Sequence, residues 1–170
     1  MMYMNKFKNI LWEYIKTFLT SLLFVLFFIN FIAIPVKVSG SSMLPNLNNG
    51  DFGFSGIITK AFGYNRFDIV VLKKYDSNDK IVKRIIGLPN EYVECIDNQL
   101  YINGEYIEQY FIEGVFTEDF KIQLNEDEYY VLGDNREISL DSRYYGVFKS
   151  EDIIAKDIFI IYPFANLGVK

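Results

Sequence analysis

The chain has 170 residues, half of them apolar and 18% aromatic, enough for an anchor and one globular core but hardly for two cores. It has no histidine and a single cysteine, Cys95, which excludes an internal disulfide, a cysteine-rich metal site and a zinc site of ordinary ligand composition. From Lys37 onward 14 basic side chains face 21 acidic ones, a balance of −7, so the basic footprint that nucleic acid demands is missing.

The first 16 residues carry Lys6, Lys8 and Lys16 against Glu13. Thr17 to Val36 then runs for twenty residues without a charge, rich in Leu, Phe and Ile. At helical rise that length crosses a hydrocarbon core of roughly 30 Å. Asn30 interrupts the run, and Pro35 lies where a helix can stop. The positive flank precedes the span, which predicts a single pass through the plasma membrane with residues 1–16 cytoplasmic and 37–170 outside. A cleavable signal peptide is the competing reading, but the run is long for one and no small-x-small site follows it. An uncleaved signal-anchor is expected.

Beyond the anchor the pattern changes to short β-type runs separated by turn residues. Strands are expected at Val36–Ser39, Asp51–Ile58, Phe67–Lys74, Lys80–Gly87, Tyr92–Ile96, Gln99–Ile102, Glu105–Ile107, Glu128–Leu132 and Ala155–Tyr162. Asn103-Gly104 is a strong hairpin signal, and Asp97-Asn98, Gly50-Asp51 and Leu88-Pro89-Asn90 read as turns. Glu91 to Glu128 holds eleven acidic residues and one basic residue, Lys121, and is expected to be a small acidic insertion forming a solvated face or flap. Phe52, Phe54, Ile57, Ile58 and Phe62 lie close to the anchor. They fit either a core or a surface resting on lipid. Cys95 reads as a small buried apolar residue rather than a reactive thiol.

Ser42, in Gly40-Ser41-Ser42-Met43-Leu44-Pro45, is a candidate nucleophile, and without histidine its base must be a lysine or a carboxylate. Lys83 is flanked by Ile81, Val82, Ile85 and Ile86. An apolar wall of that kind disfavours the ammonium, which a base must lose. Lowering a lysine from about 10.4 to about 8 needs roughly 3 kcal/mol of differential destabilisation, within reach of burial. Taken alone, Ser42 is also an ordinary turn serine and Lys83 a surface lysine. The segment Gly133 to Arg143 (GDNREISLDSR) adds glycine, two hydroxyls and alternating charges, suited to brace a site through ion pairs.

Four segments in order carry a family resemblance: Gly40–Pro45, Phe67–Val71, Lys83–Pro89 and Gly133–Arg143. With the anchor before them, the chain resembles the type I signal peptidases, membrane-anchored Ser/Lys proteases, in the compact bacterial, Gram-positive-like form. The resemblance implies a mostly β fold: an antiparallel β catalytic domain preceded by one transmembrane helix. It implies Ser42 as nucleophile, Lys83 as general base, and Ser139 hydrogen-bonded to the Lys83 amine. Arg84 would pair with Asp134, and Asp141 with Arg143. Some relatives carry a serine two positions before the nucleophile as an oxyanion donor; Gly40 stands there, leaving the second donor open. Val36, Val38, Met43, Leu47, Val71 and Val82 would line two shallow apolar pockets that admit alanine-sized residues. No metal or organic cofactor is implied. The implied partners are signal peptides of exported preproteins and the lipid bilayer, close to the secretion translocon. Two alternatives are a self-cleaving Ser/Lys regulator and a non-catalytic anchored β-domain that binds peptides. The membrane span, with no DNA-binding segment, opposes the first. The Ser42, Lys83 and Ser139 set opposes the second.

Overall fold

The computed structural model describes residues 2–74 and 79–170. Helix α1 (Met2–Phe27) continues as a π-helical stretch, Phe28–Ile32, and the part from Lys8 to Ile32 is long and apolar enough to cross a membrane. None of the helix's most apolar stretch is buried inside the protein. Asn30, a polar interruption, donates to the Leu26 carbonyl at 2.7 Å and so satisfies itself within the helix. Helix ends and span differ from expectation. The helical run stops at Ile32 rather than Val36, because Ala33–Lys37 forms strand β1. Proline disfavours helix at the residue before it and is tolerated on an edge strand, and β1 is the edge of its sheet.

The remaining strands are β2 (Phe52–Gly56), β3 (Ile69–Lys73), β4 (Lys80–Gly87), β5 (Tyr92–Ile96), β6 (Gln99–Ile102), β7 (Glu105–Ile107), β8 (Phe120–Gln123), β9 (Glu128–Leu132), β10 (Phe148–Lys149), β11 (Ile153–Tyr162) and β12 (Gly168–Val169). A one-turn helix, α2 (Ser142–Tyr145), precedes β10. The large sheet has the order β1-β2-β11-β3-β4-β9-β10, with β12 added to β11, and all its described pairs are antiparallel. The fold is therefore mostly β behind a single apolar helix, as the sequence predicts.

The acidic stretch 91–128 is more than a solvated face. It builds a second sheet of order β7-β6-β5-β8. Val93, Leu100, Ile102 and Leu124 bury against Ile86, Tyr130 and Leu132 of the large sheet. Its strand β8 escapes prediction although Phe120 and Ile122 alternate with Lys121 and Gln123, because the acidic composition around it masks a weak period-2 signal. The turns behave as expected. Asp97-Asn98 and Asn103-Gly104 all have positive φ, the type I′ geometry that suits a two-residue hairpin. Cys95 is buried and unpaired.

The aromatic segment near the anchor is not core. Phe52, Phe54 and Ile57 are half-buried, Ile58 is exposed, and Phe62 is 82% exposed. Phe54 meets Phe28 of the helix edge-on, with ring centroids 6.3 Å apart. Across β11 and its continuation, Phe159, Tyr162, Phe164, Leu167 and Val169 are also exposed. One apolar surface thus starts where the helix meets the head.

Candidate active site

Strand β4 delivers Lys83, and the turn following β1 delivers Ser42. Gly40, at φ +92, reverses the chain before Ser42, a conformation an L side chain rarely adopts. Its N–H donates to Asn49 Oδ1 at 3.0 Å, which ties the turn down. The Ser42 carbonyl accepts from the Asn135 N–H at 3.0 Å, joining the turn to the loop after β9. With both backbones held, Lys83 Nζ donates to Ser42 Oγ at 2.9 Å.

Lys83 is only 3% exposed. Burial lowers its pKa from the ordinary 10.5 to about 8, opposed by the nearby carboxylates of Asp141 and Asp134 and reinforced by the Arg143 charge. The amine is therefore neutral in a useful fraction of molecules near neutral pH, instead of a few per ten thousand.

The loop 133–143 supplies the bracing. Arg84, next to Lys83 on β4, makes a two-pronged pair with Asp134: Nε to Oδ1 at 2.8 Å and the second guanidinium nitrogen to Oδ2 at 2.7 Å. Asn46 Nδ2 donates to the same Oδ2 at 2.9 Å. Arg143 grips Asp141 with Nε at 2.9 Å and a terminal nitrogen at 2.9 Å. Asp141 also accepts from Gly133 N–H at 3.0 Å and caps α2 by accepting from Arg143 N–H. Both expected pairs are thus in contact.

Ser139 differs from expectation. Its Oγ makes no hydrogen bond to Lys83; among the described residues it is a buried hydroxyl with no partner. It lies against Gly133, at a point where a β-carbon on that glycine would come within 2.2 Å of Ser139 Oγ and 2.5 Å of the Ser42 carbonyl oxygen. Glycine at 133 is what lets the two serines approach. The Lys83 hydrogen bond goes to Ser42 instead, leaving Ser139 beside the pair without joining it.

A cleft of about 110 Å³ opens at the pair, lined by Lys37, Val38, Ser39, Ser42, Met43 and Lys80 to Lys83. Of the six expected pocket residues, Val38, Met43 and Val82 line it. Val36, Leu47 and Val71 do not: they lie behind it in the same apolar cluster, with Leu47 and Val71 essentially sealed. They shape the floor by packing, since the cross-strand pair Val71–Val82 sets the position of Val82.

Sequence reasoning missed Arg136. Buried and 2% exposed, it donates from Nε to the Gly133 carbonyl at 3.0 Å and from its terminal nitrogens to Thr117 Oγ1 at 2.7 Å and Gln109 Oε1. Burial lowers its pKa to about 10, so it remains charged at neutral pH. Together with Asn46, which also donates to the Phe111 carbonyl at 2.8 Å, and Arg84, stacked 4.2 Å over the Phe111 ring, it latches segment 109–117 onto the site. The arginine stood within the noted run 133–143; what gave no signal was its partner segment, which has no motif of its own. Asp68 is likewise held, accepting from Lys156 Nζ at 3.0 Å.

A family model described as "Signal peptidase, peptidase S26" matches residues 11–162. The chain belongs to the signal peptidase family, peptidase S26. It is a serine endopeptidase by that membership. Signal peptidase I S of Bacillus subtilis is 37% identical, covering 96% of this chain and 95% of its own. Signal peptidase I of Streptococcus pneumoniae is 32% identical, covering 97% of this chain and 99% of its own. Among solved structures, a signal peptidase I from Enterococcus faecalis superposes with a TM-score of 0.50 at 33% identity, over 55% of this chain and 95% of that one.

Proposed function

We propose that this chain is a membrane-anchored endopeptidase that removes signal peptides from exported preproteins, with Ser42 as nucleophile and Lys83 as general base. The observation that carries the reading is the 2.9 Å contact between an amine starved of water and a serine hydroxyl at the mouth of a small cleft. The neutral amine takes the Ser42 proton as Oγ attacks the scissile carbonyl, and the resulting ammonium protonates the departing amine. Water, deprotonated by the same amine, then hydrolyses the ester and regenerates Ser42. The Ser42 N–H serves as an oxyanion donor, and Gly40 contributes no side chain to that task.

The substrate binds as an added strand along the free edge of β4 and the segment after β1, with small side chains turned into the cleft. Val38, Met43 and Val82 exclude large ones by clash. The basic residues Lys6, Lys8 and Lys16 orient the N-terminus to the cytoplasm and the head to the outside of the plasma membrane, near the translocon that delivers preproteins. The exposed face of Phe62, Phe159, Phe164 and Val169 rests on lipid beside the helix. Hydrogen exchange at 52–62 with and without vesicles tests that contact; unchanged protection removes it.

The decisive experiment is preprotein cleavage in detergent, with the cut read by mass spectrometry. Ser42→Ala and Lys83→Ala should each lose turnover while remaining folded. Substantial turnover by either overturns the dyad.

A further inference from the structure

Ser139 also lines a second recess, of about 470 Å³, whose walls include Phe116, Glu118, Glu137, Leu140, Arg143 and Tyr144. Its apolar members are unusually bare: Phe116, Leu140 and Tyr144 are 58%, 54% and 73% exposed. The mechanism above uses none of them. Its charges are unequal. Arg143 is neutralised by Asp141, and Arg136 at the base gives its donors to Gly133, Thr117 and Gln109. Arg136 keeps its charge, so Glu118 and Glu137 leave the wall with one net negative charge.

The topology says what reaches this recess. Among the described residues, strand β4 pairs with β9 only from Arg84 onward, at Arg84–Leu132, Ile85–Val131 and Gly87–Tyr130. Its edge from Lys80 to Lys83 is therefore open to an added strand, and that edge forms the wall of the cleft. At Lys83 the opening ends, because β9 and Gly133 occupy the edge beyond. A peptide whose upstream residues fill the cleft must leave the sheet there, at Gly133, where Ser139 Oγ and the Ser42 carbonyl converge. The loop carrying Ser139 and Leu140 is what it meets next.

We propose that this recess is the subsite for the leaving side of the substrate, the first few residues of the released chain, and that it prefers apolar side chains and repels acidic ones. The inference rests on the peptidase reading and adds to it a selectivity that acts only before the leaving amine departs. The carboxylates of Glu118 and Glu137 also favour the new α-ammonium, so the released chain should act as a product inhibitor.

The test uses the full-length protein in detergent and peptides identical upstream of the cut, bearing leucine, glycine or glutamate at the second and third residues after it. The wild type should favour leucine over glycine by about tenfold in kcat/KM, in line with a single apolar contact in a half-open site, with glutamate slowest. In Leu140→Ala and Tyr144→Ala that ratio should fall to about twofold, while hydrolysis of the preformed acyl-enzyme, which has lost the leaving segment, stays at the wild-type rate. A product peptide with a free amino terminus should inhibit the wild type and inhibit Glu137→Gln less. Because the altered side chains are exposed, loss of fold is not expected, and the acyl-enzyme rate reports it directly if it occurs. Cleavage with the same leucine-to-glycine ratio in all three proteins overturns this inference alone. No cleavage of any peptide or preprotein by the wild type sinks the peptidase reading, and this inference falls with it.

Discussion

Around Asp134 and Asp141 every carboxylate oxygen has a donor, whereas among the described residues the nearby Ser42–Lys83–Ser139 corner keeps a buried hydroxyl with none and an amine with a single acceptor. Both corners belong to the same loop and the same sheet edge. In the first, the arginine fork meets its carboxylate with two parallel bonds and excludes water, which fixes geometry. In the second, the protein withholds partners, which keeps an amine unprotonated and a hydroxyl free. A group already satisfied by its neighbours has nothing left to give a substrate. Rigidity in one corner is thus what permits incomplete satisfaction in the other.

The strongest way to break the contrast is to remove the amine while keeping its volume. Lys83→Met should abolish turnover, by roughly 10⁴-fold or more, as expected when a nucleophile loses its base. It should also stabilise the fold below pH 8. The folded pKa of Lys83, about 8, lies under its ordinary 10.5, so burial penalises the ammonium. That penalty is present in full below pH 8 and fades as pH rises to 10.5, where the unfolded chain also loses the proton. A shift of this size corresponds to an upper bound on the order of 3 kcal/mol. Denaturant melts at pH 7 and pH 10 read it: the gain should shrink at the higher pH. Equal stability of the two proteins at pH 7 would contradict a desolvated amine. In the wild type, kcat/KM should climb with pH through about 8, since only the neutral amine accepts the serine proton. A rate that stays level down to pH 6 would contradict the lysine base.

Substitution in the braced corner should do the opposite. Asp134→Ala leaves Arg84, whose side chain is 9% exposed, as an uncompensated buried charge. The expected loss is about 3–5 kcal/mol of stability, with activity falling because loop 133–143 and the Lys83 strand come loose together. A variant that melts within about 0.5 kcal/mol of the wild type would show the pair to be idle, as many exposed ion pairs are.

How much of this was readable beforehand follows the same division. Strands β4, β5, β6, β7 and β9 fall on their predicted bounds, because alternation and Asn-Gly or Asp-Asn turns are local signals. The end of the helix was misplaced because Ala33–Val36 is as apolar as the span; only its pairing with Gly53–Gly56 makes it strand. The nucleophile and the amine were legible through the missing histidine and the aliphatic neighbours. Arg136 and segment 109–117 were not, since Thr117 and Gln109 gain meaning only when a guanidinium 19 or 27 residues away lands on them. Long-range satisfaction of a buried charge leaves no periodic trace in a sequence.

Ser139→Ala is the smallest and most discriminating change. An unpaired buried hydroxyl costs about 1 kcal/mol, so its removal should leave stability unchanged or slightly raised. If Ser139 Oγ positions the Lys83 amine once substrate closes the site, turnover should fall by roughly 10- to 100-fold, the range of a hydrogen bond made during the reaction. The pH profile separates that role from packing: losing a hydroxyl that engages the amine moves the rise near pH 8, whereas a void alone lowers the whole curve without shifting it. Gly133→Ala supplies the complement. A β-carbon there would collide with Ser139 Oγ and with the Ser42 backbone oxygen, and a backbone atom cannot step aside. That variant should lose both stability and turnover, while Ser139→Ala loses turnover only. Two neighbouring substitutions with matched losses in both quantities would mean that the hydroxyl is structural, and the contrast between the two corners would not hold.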